Sequence, residues 1–337
     1  MAQARLNGIA LRGIVSALPT RVEGVADLAA RFGADQAARI ANATGIHRRH
    51  IARDGQCLSD LALPAARELL TGLGWAPNSI DLLIVVTQTP DHPLPATACL
   101  LQEKLGLGRH CAAFDMGMGC SGYIYGLWSA ASLLTGMGRG RCLLVAGDIT
   151  SRTLDPADRG TAPLFGDAVT VTALEIDRTA GPLLVDLGSD GTGAPYLIKQ
   201  RGGMRNPEGP MLFMDGTQVF AFTLREVPKA IAATLDAAGL AMADIDHVVL
   251  HQANEMMLKR LGQKIGASAE QLVLALQDRG NTSSATIPLA ITDSLATSLR
   301  SGPRQLLLSG FGVGWSWGTA LWQVGSVPGP CHTILVE

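Results

Sequence analysis

The sequence predicts an α/β fold built from a duplicated unit, and three observations carry that prediction. Short apolar strands alternate with amphipathic helices along the chain, the pattern of a layered sheet with right-handed crossovers. Glu68–Asp81, ELLTGLGWAPNSID, resembles Ala233–Asp246, ATLDAAGLAMADID, at an offset of 165 residues, and both run into a strand, DLLIVV and DHVVL. RCLLVAGD at 141 then parallels RQLLLSGF at 304, at an offset of 163. Between these pairs each half holds a strand, a turn and a helix, with Cys120 at the first turn and Asn281 at the second. Self-matches in one order at nearly constant spacing indicate duplication. They divide the chain into 1–176, carrying Cys120, and 177–337, carrying His251 and Asn281. Ligands are expected where strand ends of the two halves meet.

The bulk numbers fit that plan. The chain of 337 residues is 47% hydrophobic and only 17% charged, so much of it must be interior. A net charge of −2 gives no support for nucleic-acid binding or a basic membrane surface. The six cysteines are scattered without a C-x-x-C pair, which favours a reduced, cytoplasmic protein over a disulfide scaffold or zinc module. No signal-peptide pattern opens the sequence, and no apolar run reaches transmembrane length.

Taken in order, residues 6–17 alternate as a first strand. Val25 to Ala43 reads as one helix stopping at Thr44-Gly45. His47-Arg-Arg-His50 has metal-like spacing, but its arginines repel a cation, so a solvated or anion-facing loop is expected. Ser59–Leu73 is helical, with Ser59 as candidate N-cap and Gly74 as stop. Strand 81–86 leads into the Pro-rich loop Thr87–Pro95, and Thr97–Leu105 resumes helix. After the Cys120 helix come strands Arg141–Ala146 and Ala168–Glu175. Gly- and Pro-rich residues 186–215 predict a long surface excursion. Val219–Leu240 is helix, Ile245–Leu250 a strand delivering His251, and Glu255–Ile265 helix. Leu272–Leu276 is a short apolar segment and Pro288–Leu299 a helix. Gln305–Ser309 and Thr319–Val324 are the last strands predicted.

The chemistry centres on AFDMGMGCSGYIYGL, residues 113–127. A strand ends in small residues, then Cys120 opens a helix. Free N–H groups and the helix dipole at that end favour a thiolate, and the small neighbours leave room for a carbonyl. A buried packing cysteine is the ordinary alternative. His251 and Asn281 also sit at strand-end turns. Each alone has a bland reading as a hydrogen-bonder or cap, but together the Cys/His/Asn set suits acyl transfer. The run Gly310-Phe-Gly-Val-Gly-Trp-Ser-Trp-Gly contains Gly-x-Gly, yet it continues as strand and opens no helix. It is read as a tight turn placing backbone N–H groups at a reacting centre, not as a dinucleotide site.

These motifs, with DPADRGT at 155, LFGDA at 164, MDGTQVF at 214, HQAN at 251 and GNTSSATIP at 280, resemble the thiolase-superfamily condensing enzymes, nearest β-ketoacyl-acyl-carrier-protein synthase III. The resemblance runs from Gly45 through Trp322. It implies a thiolase-like fold in five α-β-α-β-α layers, and an acyltransferase needing no cofactor or metal. It also implies Cys120 as the acylated nucleophile, His251 and Asn281 as the decarboxylation pair, and an oxyanion hole from the N–H groups of Cys120 and Val313. Phe165, Phe220 and Phe311 would border the acyl and pantetheine channel, and Arg159 and Asn254 would contact the coenzyme A or pantetheine arm. Acyl-CoA, acyl carrier protein and a malonyl thioester are the implied partners. Leu94 falls where family members reach across a homodimer into the partner's acyl pocket, with a heterodimer of related subunits as the alternative.

The chain departs from the family pattern in places. Arg39 stands for an adenine-stacking Trp and Ala43 for a nearby Arg, while Ala221 and Met256 replace basic residues that contact the carrier protein. These changes point to a specialised-metabolite pathway as well as to fatty-acid biosynthesis. Cys…His…Asn is also the chain order of papain-like proteases, but the Cys-Gly-Ser-Cys-Trp signature is absent. A non-decarboxylating acyltransferase acting on an alcohol or amine is a second rival. A non-catalytic subunit of a heterodimeric synthase is a third, though such a subunit is expected to lack part of the triad.

Overall fold

A computed structural model describes residues 2–337. In the first half the strands and helices are β1 (Ala2–Leu6), β2 (Ile9–Pro19), β3 (Val22–Gly24), α1 (Val25–Phe32), α2 (Ala34–Thr44), β4 (Arg48–His50), α3 (Leu58–Leu73), β5 (Leu82–Val86), α4 (Thr97–Lys104), β6 (Ala112–Met116), α5 (Gly122–Met137), β7 (Arg141–Asp148) and β8 (Ala168–Ile176). The second half continues with β9 (Leu183–Ser189), β10 (Leu197–Lys199), β11 (Leu212–Met214), α6 (Gly216–Ala238), β12 (His247–Leu250), α7 (Glu255–Ile265), α8 (Thr286–Ser294), α9 (Ala296–Ser301), β13 (Arg304–Gly312), β14 (Ser316–Val324) and β15 (Cys331–Val336).

Two sheets carry the fold, ordered β15-β2-β8-β7-β5-β6 and β1-β9-β14-β13-β12. The duplication is visible in that order: β2, β8, β7 and β5 stand in one sheet where β9, β14, β13 and β12 stand in the other. Both faces of each sheet are covered, so the central strands are apolar throughout rather than alternating. On β5, Leu82, Ile84 and Val86 face the cluster built on α5 and α8, while Leu83 and Val85 face α3 and α4. On β13, Leu306 and Leu308 join the same inner cluster and Leu307 faces α6 and α7. The layers are therefore α3/α4, sheet, α5/α8, sheet, α6/α7, the five-layered thiolase-like arrangement.

Several expectations are corrected. Val25–Thr44 is two helices, because Gly33 breaks the run. The N-cap of α3 is Cys57, whose N–H donates to Asp60, and Ser59 lies inside the helix. Residues 183–189 are not surface but β9, paired on both sides. Their composition hid them, because Asp186 and Gly188 interrupt an otherwise apolar strand. The excursion is confined to about 190–215, where β10 and β11 form a small hairpin. Pro288–Leu299 divides into α8 and α9 at Leu295. The segment 272–276 forms only a single bridge, Leu272 with Val248.

The chain ends were missed as strands, and they exchange halves. β1 pairs with β9 of the second sheet, and β15 pairs with β2 of the first. A division at 176/177 therefore leaves each sheet holding one strand from the other half. Among the described residues, no helix is long and apolar enough to cross a membrane.

The patch at 47–50 is also corrected. Arg49 is only 3% exposed, donates to the carbonyls of Ala162 and Phe165, and pairs with Glu23 at 3.0 Å. Burial lowers its pKa, with Glu23 opposing that shift. His50 Nδ1 donates to the Pro19 carbonyl. Arg49 and His50 are an internal clasp that fixes the 162–167 loop, while His47 and Arg48 are exposed as expected.

Candidate active site

Cys120 sits on the turn between β6 and α5, with Ser121 as the helix cap. Its place is fixed from the opposite sheet. Ser316 donates its hydroxyl proton to the Val313 carbonyl at 2.6 Å, so Ser121 is the donor in the 2.6 Å contact to Ser316. The glycines of the β13–β14 hairpin let the backbones meet. A Cβ on Gly310 would come within 2.9 Å of the Cys120 carbonyl, and one on Gly312 within 2.7 Å of Cys120 Cβ and 3.1 Å of Sγ. The backbone N–H groups of Cys120 and Val313 both favour charge on the sulfur and so act to lower the pKa of the thiol. These are the two N–H groups expected to form the oxyanion hole.

His251 follows β12 and is 2% exposed. Its backbone N–H donates to Ser309, its ring packs edge-on against Phe311, and Nδ1 lies 2.7 Å from Thr286 Oγ1. Asn281 forms a bridge with Phe165, and its side-chain oxygen accepts from the Ser283 N–H at 2.9 Å. That bond leaves its amide NH2 as the end available to a ligand. Thr286 also donates to the Ser283 carbonyl at 3.0 Å. The turn 281–286 thus ties His251 to Asn281, and Ser283 itself has φ +54°, a conformation unusual for a side-chain-bearing residue.

A cavity of about 800 Å³ opens from Cys120, with Ser283, Val313, Phe165, Gln88 and Asp148 in its wall. His251, Asn281, Phe220, Phe311, Arg159 and Asn254 are not in that wall. Phe311 is buried against His251, and Phe220 is part-buried beside the α6/α7 cluster. Asn254 caps α7 by accepting from Met257. Arg159 and Arg39 are exposed, and Leu94, at 82% exposure, lies outside the cavity.

The electrostatics correct one expectation. Burial pushes the Cys120 thiol up to about 12, and the nearby Asp148 carboxyl adds to the rise. The N–H groups of Cys120 and Val313 oppose it without overcoming it. The helix terminus therefore does not by itself make a resting thiolate, because loss of water outweighs two hydrogen bonds. Burial also pushes His251 down to about 3, so its imidazole is neutral across physiological pH.

Asp148 is a residue the sequence reading passed over. It ends β7, is fully buried, and accepts from Thr87 at 3.0 Å, the Gln88 N–H at 2.7 Å and Thr89 at 3.1 Å. Burial raises its own pKa. It anchors the start of the Thr87–Pro95 loop beside Cys120. The signal was a lone Asp closing an apolar strand at Gly147-Asp148. Among the described residues, no three His, Cys, Asp or Glu side chains gather as a metal site.

This fold and site define a condensing-enzyme class in which two α/β halves share one cysteine-centred pocket. Family models agree: 3-oxoacyl-[acyl-carrier-protein] synthase III matches residues 114–191, and the C-terminal part of that family matches residues 235–324. The β-ketoacyl-[acyl-carrier-protein] synthase III of Neisseria meningitidis is 39% identical over 83% of this chain and 88% of the relative. That of Lactococcus lactis subsp. cremoris is 35% identical over 82% and 88%. A 3-oxoacyl-(acyl-carrier protein) synthase structure from Burkholderia xenovorans LB400 superposes with TM-score 0.95 at 40% identity, covering 99% of each chain. The chain belongs to the β-ketoacyl-[acyl-carrier-protein] synthase III family. Its chemistry is that of a condensing acyltransferase working on a Cys-bound acyl group and a malonyl thioester.

Two measurements check the site. With a thiol pKa near 12, alkylation of Cys120 by iodoacetamide should keep rising from pH 7 through pH 9. A plateau near pH 7 would show a resting thiolate instead. Gly312→Ala should slow Cys120 acylation about 100-fold, the scale of an ångström-level misplacement, and leave a folded protein. Intact-mass kinetics beside a thermal melt read both, and an unchanged acylation rate would refute the crowding argument.

Proposed function

We propose that Cys120 is the acylated nucleophile, and that His251 and Asn281 stabilise the enolate formed when a malonyl thioester loses CO2. The observation that carries this reading is the β13–β14 hairpin held against Cys120, with the N–H groups of Cys120 and Val313 both favouring charge on its sulfur. In the first half-reaction Cys120 gives up its proton and its sulfur attacks the donor thioester carbonyl. The tetrahedral oxyanion is received by those two N–H groups. The carbon–sulfur bond of the donor then breaks, and the leaving thiolate takes the proton.

In the second half-reaction the malonyl carbon–carboxylate bond breaks and CO2 departs. The electron pair spreads onto the thioester oxygen as an enolate. Neutral donors suit that charge: the Nε2–H of His251, held uncharged by burial, and the NH2 of Asn281. The carbanion attacks the acyl-Cys120 carbonyl, a carbon–carbon bond forms, and the Cys120 thiolate leaves. An acid at position 281 would repel the enolate, which favours condensation over plain acyl transfer.

Phe165, in the cavity wall, would border the acyl chain. Phe220 and Phe311, which lie outside that wall, would border the acyl and pantetheine channel with it, and Arg159 and Asn254 would contact the coenzyme A or pantetheine arm. Residues 1–176 supply the nucleophile and 177–337 the enolate pair. We place the enzyme in the cytoplasm, where acyl and malonyl thioesters are available. His251→Ala and Asn281→Ala should both still accept an acyl group on Cys120 but lose malonyl-dependent CO2 release, by about 100-fold or more, the scale for one oxyanion donor. Unchanged CO2 release in both would move the enzyme to the class of simple acyltransferases.

The dimer reading rests on Leu94 and β6. Leu94 is an isolated leucine between prolines on the Thr87–Pro95 loop. β6 is bonded on one side only, to β5, and its free edge is solvent-facing. A homodimer across that edge would cover both and bring Leu94 to the partner's acyl pocket, reciprocally. Leu94→Trp should then reduce acylation by long donors more than by short ones, by about 1.5–3 kcal/mol, the cost of expelling a few buried methylenes. A donor-length series with light scattering tests it. A monomer, or an equal loss at every length, would make Leu94 an ordinary surface residue.

A further inference from the structure

The cavity wall beside Cys120 is partly polar. Asp148 accepts the Gln88 backbone N–H at 2.7 Å, and Thr89 Oγ1 accepts the Ile149 N–H at 2.9 Å. The segments leaving β5 and β7 are tied together by these bonds, and they present two side chains, Gln88 and Thr150, to the cavity that opens from Cys120. A Cβ on Gly119 would run into the Gln88 amide oxygen and lie 3.0 Å from Val313 Cγ1. The amide head therefore sits against the residue that precedes Cys120, on the side of Val313.

Among the described residues, neither the Gln88 amide nor the Thr150 hydroxyl has a hydrogen-bond partner. Both residues bond through their main chain instead, to Asp148 and to Thr153. Gln88 is exposed to the cavity, and the Thr150 hydroxyl is not sealed in protein. A plain alkyl chain laid over the two would strip their water and return no hydrogen bond. A chain carrying a hydroxyl would replace what is lost, because an amide and a hydroxyl each donate and accept, as the incoming hydroxyl does. A carboxylate at that place fits less well, since the Asp148 carboxyl shares the wall.

We propose that Gln88 and Thr150 are specificity-determining residues, selecting an acyl donor with a hydroxyl on one of the first carbons beyond its thioester carbonyl. This selection rests on the reading of Cys120 as the acylated nucleophile. Phe165, Leu197 and Leu212 offer apolar wall to the rest of the chain. The ordinary alternative is that Gln88 and Thr150 are wet residues of an open mouth, indifferent to the donor.

Donors of one chain length separate the two. Butyryl-CoA, 2-, 3- and 4-hydroxybutyryl-CoA and succinyl-CoA are offered to the enzyme, and acylation of Cys120 is followed by intact mass and assigned by its loss in Cys120→Ala. The wild type should be acylated by at least one hydroxybutyryl donor about 10- to 100-fold faster than by butyryl-CoA, the scale for one or two polar groups paired rather than stranded. Gln88→Leu and Thr150→Val keep the bulk and remove the amide or the hydroxyl, so each should narrow that ratio. Butyryl-CoA as fast as every hydroxybutyryl donor in the wild type overturns the proposal without any variant, and leaves Cys120 as the nucleophile. Succinyl-CoA as the fastest donor overturns it too, by moving recognition to a cation of the wall. A preference that survives undiminished in both folded variants removes Gln88 and Thr150 as its cause. No adduct on Cys120 from any of the five donors removes Cys120 as the nucleophile, and the proposal with it.

Discussion

Everything in this structure depends on burying α5 between two sheets. The inner side of the helix is apolar, with Tyr123, Ile124, Leu127, Ala130, Ala131 and Leu134 all in the inner core, and only its last turns, at Leu133 and Met137, reach water. Each buried Leu or Ile there is worth about 1.5–3 kcal/mol against exposure. The fit is close on both sides. A Cβ on Gly126 would come within 2.7 Å of Val86 in one sheet, and one on Gly318 within 2.8 Å of Ile124 from the other. Neither sheet can shift without opening a cavity or a clash. The N-terminus of α5 is therefore held against the β13–β14 hairpin, and Cys120 with it.

That burial has a chemical consequence. A thiol deep between two sheets is costly to ionise, and the Asp148 carboxyl beside it adds to the cost. The same dry surroundings strengthen the two N–H groups that favour charge on the sulfur, because hydrogen bonds in low dielectric are stronger. The site is thus poor at storing a charge at rest and suited to receiving one as it forms. His251 obeys the same rule. Burial denies it a positive charge, which leaves a neutral ring whose behaviour depends on hydrogen-bond partners rather than on pH.

The loops that complete the site are held by buried polar groups rather than by apolar packing. Asp148 gathers Thr87, Gln88 and Thr89, Arg49 gathers the Ala162 and Phe165 carbonyls, and Asp167 accepts from Ala52 and Ser151. Each is a charged side chain satisfied by several partners, the condition under which burial is tolerated. These clasps fix two walls of the cavity. Their partners are far apart in sequence, which is why a reading of local motifs took Arg49 and His50, along with the exposed His47 and Arg48, for a solvated loop.

The sequence alone determined the layered α/β plan, the duplication, and the three turns that bear Cys120, His251 and Asn281. These are written in local periodicity, in small residues at turns, and in near-constant offsets between similar segments. Strand β9 was illegible because Asp186 and Gly188 break its apolar run. β1 and β15 were illegible because edge strands need only one covered face, and their assignment to opposite sheets is a matter of pairing. The single helix read over 25–43 failed because Gly33 acts only through backbone conformation. Only the tertiary structure decided the ionisation of the site. A helix N-terminus favours a thiolate in isolation, but the second sheet, the buried Asp148 and the exclusion of water come from residues more than twenty positions away, and desolvation is a property of the assembled core.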